Sequence, residues 1–128
     1  MNPPQTVVQT DKAPKAVGPY SQAIRAGEWL FLSGQLPLDP SGRMIEAWVG
    51  PQTRQVLENI RAVLESAGLG MRHVLKTTVY MTDLSKFAEM NEVYGQAFQS
   101  PFPARATVEV RALPKGAQVG IECVARGG

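Results

Sequence analysis

Between Pro51 and Gly68 the apolar residues recur at intervals of three and four, as Val56, Leu57, Ile60, Val63, Leu64 and Ala67. This spacing lays one apolar stripe along an α-helix, with proline where a first helical residue favours it and glycine where the helix must stop. A helix striped on one side needs a surface to lie on. The rest of the chain supplies one, because most of its other patterned segments read as strands.

Segments 20–26 and 28–36, split by Gly27, read as a hairpin, and the second is almost wholly apolar up to Ser33-Gly34, which predicts a central strand. A short strand is expected at 7–10, behind a proline-bearing arm over 1–6. Two prolines and a glycine in "PLDPSGRM", 37–44, predict a loop. The β-branched run "VLKTTVYM" at 74–81 predicts a further strand. Asp83 can then cap a second helix, in which Leu84, Phe87, Asn91, Tyr94 and Phe98 share a stripe. Asn91 is a polar interruption of that stripe and needs a reason. Two alternating strands, 105–111 and 119–125, end the chain. The order strands, helix, strand, helix, strands predicts an α+β domain spanning 1–128: one mixed sheet, both helices on one face, the other face bare.

In "PARATVEV", Ala106, Val108, Val110 and Ala112 alternate with Arg105, Thr107, Glu109 and Arg111, so the even positions are expected to pack and the odd ones to face away. On the last strand Val119, Ile121, Cys123 and Ala125 form the packing face, with Gly120 and Glu122 opposite. If a four-residue loop, 112–115, joins the two as a hairpin, Arg105 lies across from Glu122 and Thr107 across from Gly120. Such a group is either a solvated cross-strand ion pair or a site. In a site, the guanidinium fork would grip a carboxylate and the glutamate would accept a proton or a hydrogen bond.

Composition narrows the choice. A formal charge of +2, with Lys and Arg scattered singly, gives no basic stripe for nucleic acid. One cysteine, Cys123, allows no intrachain disulfide, and one histidine, His73, leaves no Cys/His metal cluster. The longest apolar run, 29–32, is far short of a membrane span. A soluble cytoplasmic protein without a metal is expected.

The segments "GPYSQA" (18–23), "LSGQLPLD" (32–39), "LKTTVYMTDLSKFAEMNEVY" (75–94) and "FPARATVEVRALPKGAQVGIE" (102–122) resemble, in order and over nearly the whole chain, the RidA/YjgF family. The resemblance implies a chorismate-mutase-like fold assembled as a homotrimer around a central barrel, with clefts between subunits. It also implies an enamine/imine deaminase that hydrolyses 2-imino acids to 2-keto acids and ammonia without a cofactor. Arg105 matches the arginine that clamps the substrate carboxylate, helped by the backbone beside Thr107, where the family often has cysteine. Tyr20, Ser33 and Asn91 match other cleft positions, which would explain the interrupted stripe. The glutamate that positions the hydrolytic water in the family aligns with Gly120, and Glu122 aligns with the next acidic residue along that strand. Other classes remain open: a small-carboxylate-binding protein with little hydrolysis, or a single-strand ribonuclease or translation inhibitor of the kind also attached to this family.

Overall fold

A computed structural model describes residues 5–127, so most of the arm expected over 1–6 lies outside the described residues. The elements are β1 (Thr6–Val8), β2 (Ala23–Ala26), β3 (Trp29–Gln35), α1 (Val49–Ser66), β4 (Val74–Met81), α2 (Phe87–Ala97), β5 (Ala104–Glu109) and β6 (Val119–Arg126). The six strands form one mixed sheet in the order β1-β2-β3-β6-β4-β5, in which only β4 and β5 run parallel. Both helices lie on one face, as the element order predicts.

The helix α1 forms where the three-and-four spacing places it, and Val56, Ile60, Val63 and Leu64 are fully buried against the sheet. Each such side chain stabilises the fold by about 2 kcal/mol. Its own sequence gives α1 no side-chain N-cap and no basic residue in the last turn. Tertiary neighbours fill both roles: the Glu89 carboxylate of α2 accepts from the Gly50 amide at 3.0 Å, and Arg25 of β2 donates to the Ala67 carbonyl at 2.6 Å. Negative charge thus meets the N-terminus and positive charge the C-terminus, as the helix dipole favours. The carboxylate approaches so closely that a Cβ at position 50 would sit 2.9 Å from Glu89 Oε2, which is why glycine stands there.

The β2–β3 hairpin turns at Gly27, where φ is 61°. In the long loop before α1, Asn59 of α1 is buried and donates to the carbonyls of Leu36 and Leu38, at 3.1 and 2.9 Å, tying the loop to the helix. Buried Gln22 does the same for the segment after β1, bonding the Thr10 amide at 2.7 Å and the Pro14 carbonyl at 2.8 Å. Backbone groups that would otherwise be buried unpaired are satisfied in both places.

Several expectations about the terminal strands and the second helix fail. The terminal strands do not form a hairpin: β5 pairs with β4 at the sheet edge, and β6 inserts between β3 and β4. The apolar face of β6, with Val119, Ile121, Cys123 and Ala125 all buried, earns it a central place, whereas charged β5 suits an edge. The connection through residues 110–118 only has to step across one strand, a span of about 10 Å.

The facing of β5 is also the reverse of the expected one. Arg105 and Thr107 are in register with Thr77 and Val79, which are buried under the helices, so the odd positions face the helix layer and Ala106 and Val108 face the bare side. The second helix begins at Phe87, and Asp83 instead caps a single 3₁₀ turn, accepting from the Ser85 amide at 2.9 Å. In α2 the buried line is Met90 and Tyr94, continued by Phe98 just beyond, with Asn91 exposed on its flank. The sheet face away from the helices carries Val7, Ile24, Trp29, Phe31, Val108 and Val124, and Val7, Trp29, Phe31 and Val108 are 40–56% exposed.

Cys123 sits under the helices, and burial pushes its thiol up to about 12. At pH 8 the thiolate is then on the order of one part in ten thousand. Iodoacetamide is expected to leave native protein essentially unmodified and to alkylate Cys123 fully in denaturant, as read by intact mass.

Candidate functional site

Two groups of polar side chains stand on opposite sides of the sheet. The first surrounds Arg105. Its Nη1 donates to Asn91 Oδ1 at 2.7 Å, and its guanidinium carbon lies 4.7 Å from the Tyr94 ring centroid and 5.4 Å from that of Phe87. Cation–π contact and one hydrogen bond therefore fix the plane of the fork while leaving donors unused.

Tyr94 is itself held. Its hydroxyl shares a 2.7 Å hydrogen bond with Thr77, and its ring lies 4.7 Å from that of Phe98. Desolvation raises its pKa, so the phenol under Arg105 stays neutral. Among the described residues no carboxylate forms an ion pair with Arg105; the pair found joins Arg126 to Glu28. Two residues along the same face of β5, Thr107 Oγ1 is buried without a hydrogen-bond partner, a cost of about 1–3 kcal/mol. Asn91, Tyr94, Gly95, Phe102, Pro103 and Arg105 line a depression of about 390 Å³ here.

The second group lies on the bare face, around a β-bulge. Leu32 pairs with Cys123 and Gln35 with Ile121, so Ser33 and Gly34 together oppose Glu122. Bulges of this kind re-aim side chains and are common beside active sites. Ser33 Oγ donates to the Ser21 carbonyl at 2.5 Å, which ties the bulge to the Tyr20 loop, and Tyr20 is 53% exposed. Gly120 is in register with Tyr80, and Glu122 with Thr78. The Tyr80 hydroxyl donates to Glu122 Oε1, and this bond raises the tyrosine pKa.

Arg105 and Glu122 are thus not cross-strand neighbours. The strand β4 lies between them, and Thr77 and Thr78, their respective partners, point to opposite faces. Thr107 and Gly120 are separated in the same way. Within one protomer, Arg105 meets Asn91 with Thr107 on the same face of β5, and Ser33 opposes Glu122 with Gly120 on the same face and the Tyr20 loop tied on through Ser21, but the two groups do not meet. Sequence reading alone gives Phe87 and Tyr94 only as packing residues and assigns Tyr80 nothing. The alternation of 74–81 already puts Tyr80 opposite Val79 and Met81, which is the signal that could have found it. Among the described residues no three His, Cys, Asp or Glu side chains cluster as metal ligands. No helix there is long and apolar enough to cross a membrane.

Residues 10–126 match the family model described as Endoribonuclease L-PSP. The human 2-iminobutanoate/2-iminopropanoate deaminase is 45% identical over 120 residues, covering 93% of this chain and 88% of that one. The chain belongs to the RidA/YjgF family. A RutC family protein of Pyrococcus horikoshii is 52% identical over 93% of this chain and 95% of its own. Among solved structures, RidA from an Antarctic Psychrobacter superposes with a TM-score of 0.92 at 47% identity, over 95% of this chain and 99% of that one. Escherichia coli TdcF with bound serine superposes with a TM-score of 0.91 at 41% identity, over 96% and 99%. The α+β architecture of this RidA-family chain is therefore shared with known family structures.

Proposed function

We propose that the protein is an enamine/imine deaminase that hydrolyses 2-imino acids, of the 2-iminobutanoate and 2-iminopropanoate type, to 2-keto acids and ammonia. The observation that carries this is the Arg105 guanidinium: oriented by Asn91, Tyr94 and Phe87 and, among the described residues, without a carboxylate partner. A fixed fork with free donors suits a small planar carboxylate. The human relative is named for this activity, and a relative with bound serine supports a ligand of this size.

In this reading Arg105 grips the carboxylate of the imine and the backbone beside Thr107 helps hold it. A water then attacks C2: its oxygen bonds to carbon, its proton passes to an acceptor, and the resulting tetrahedral adduct expels ammonia as the C–N bond breaks and the ketone forms. The iminium carbon is already electrophilic, so holding reactants in place can supply useful acceleration without an activated nucleophile. The acceptor is Glu122, with Tyr20, Ser33 and Gly120 shaping its side of the cleft. Since Arg105 and Glu122 occupy opposite sheet faces, we place the complete site between two copies of the chain. A homotrimer that buries the bare apolar face of each sheet brings the two groups together, and removing that apolar surface from water favours the assembly.

The test is direct. With 2-iminobutanoate released in situ by a threonine dehydratase, purified protein is expected to remove the imine well above the buffer rate, and its mass in solution to be that of a trimer. Gly120, which leaves no carboxylate at that position, favours a second reading, a binder of small carboxylates. Imine loss at the buffer rate, with a 2-keto acid still bound in calorimetry, would establish that reading instead.

A further inference from the structure

We propose that Tyr80 is a positioning residue of this reaction, its phenol aiming the Glu122 carboxylate at the attacking water. The inference rests on the deaminase reading above. Tyr80 is the cross-strand partner of Gly120, and Glu122 lies one strand repeat further along the same face, about 7 Å away. The phenol donates to one oxygen of Glu122 and ties the carboxylate to the Tyr80–Gly120 pair.

Gly120 presents only backbone at the position beside the Tyr80–Glu122 pair. A Cβ there would stand 3.4 Å from the Gln35 carbonyl, 3.6 Å from Leu36 Cδ2 and 3.9 Å from Leu113 Cδ1, so a longer side chain at 120 would have to share this side of the sheet with those groups. With Oε1 engaged, Oε2 is free to accept from water. In the reaction Glu122 takes a proton from that water as its oxygen bonds to C2, then returns it to the departing nitrogen as the C–N bond breaks, the adduct's hydroxyl loses its remaining proton to solvent and the C=O bond forms. Tyr80 gives up no proton in either step. Its raised pKa keeps it a donor throughout, and Glu122 is what raises it. The two residues are thus set as one device, a rigid acceptor built from a tyrosine and a displaced glutamate.

Tyr80→Phe keeps the ring and removes only the hydroxyl. It is expected to lower kcat about tenfold with KM within about twofold, as the loss of one hydrogen bond to a charged group would. Glu122→Gln should lower kcat about 10²-fold, and the double variant should be no worse than Glu122→Gln alone, because the phenol acts only through the carboxylate. Independently of activity, ultraviolet titration should show one tyrosine ionising at lower pH in Glu122→Gln than in the wild type. Unchanged kcat in Tyr80→Phe, additive losses in the double variant, or identical tyrosine titrations would each overturn the proposal while leaving the deaminase reading intact. A wild type that hydrolyses no imine would sink both.

Discussion

Arg105→Ala is expected to lower kcat/KM for 2-imino acids about 10²-fold or more while leaving the fold intact. A charge-assisted fork engaging a carboxylate contributes about 3 kcal/mol, and each 1.4 kcal/mol is about tenfold in rate. The loss should fall on KM and kcat together, because the clamp both binds the substrate and aligns its C2 for water. Arg105→Lys keeps the charge but not the fork and should recover only part of the loss. Little stability is at stake: Arg105 stands on an edge strand and its contacts are one hydrogen bond to exposed Asn91 and two ring faces. Melting temperature is therefore expected to shift by only a few degrees. If Arg105→Ala hydrolyses imines as fast as the wild type, the carboxylate clamp is wrong and with it the substrate class.

Much of the fold can be read directly from the chain because local patterns and packing agree. The spacing of Val56, Ile60, Val63 and Leu64 puts one side of α1 on the sheet, and the alternation of Val119, Ile121, Cys123 and Ala125 puts one side of β6 under it. Neither needs information about a partner strand. The placement of β5 does. Alternation tells that Arg105 and Thr107 share a face but not which face, and nothing local says that residues 110–118 step over β4 rather than turn back on themselves. A hairpin assumption therefore pairs Arg105 with Glu122, when the pairing partners are Thr77 and Thr78.

Asn91 shows the same boundary. Its polarity is visible in the sequence, but the stripe it is expected to interrupt runs through Met90 and Tyr94 instead, and Asn91 stands exposed on the flank of α2 that meets Arg105. Its partner is not visible, because the contact joins residues fourteen apart across a helix and a strand. Tyr80 and Tyr94 are aromatic residues in strand and helix patterns that any core would accept. Only the hydrogen bonds to Glu122 and Thr77 separate them from packing.

Mixing two inactive variants should restore activity if the site is shared between copies. Arg105→Ala lacks the clamp and Glu122→Gln lacks the acceptor, and within one protomer the two positions face opposite sides of the sheet. In a closed ring with identical head-to-tail interfaces, each site draws Arg105 from one subunit and Glu122 from its neighbour. After random exchange between equal amounts of the two variants, half of the neighbours supply an intact arginine and half an intact glutamate, so roughly a quarter of the sites are complete. Activity should rise from the about 10⁻²-fold level of either variant alone to roughly a quarter of the wild-type value, and only once subunits have exchanged. The gain is large because complementation replaces a missing group rather than repairing a fold. Should the co-assembled mixture show no more than the sum of its parts, while each variant alone is folded and of native mass, the two groups do not serve one site. The bare sheet face would then bury apolar surface in assembly without bringing Arg105 and Glu122 to the same substrate.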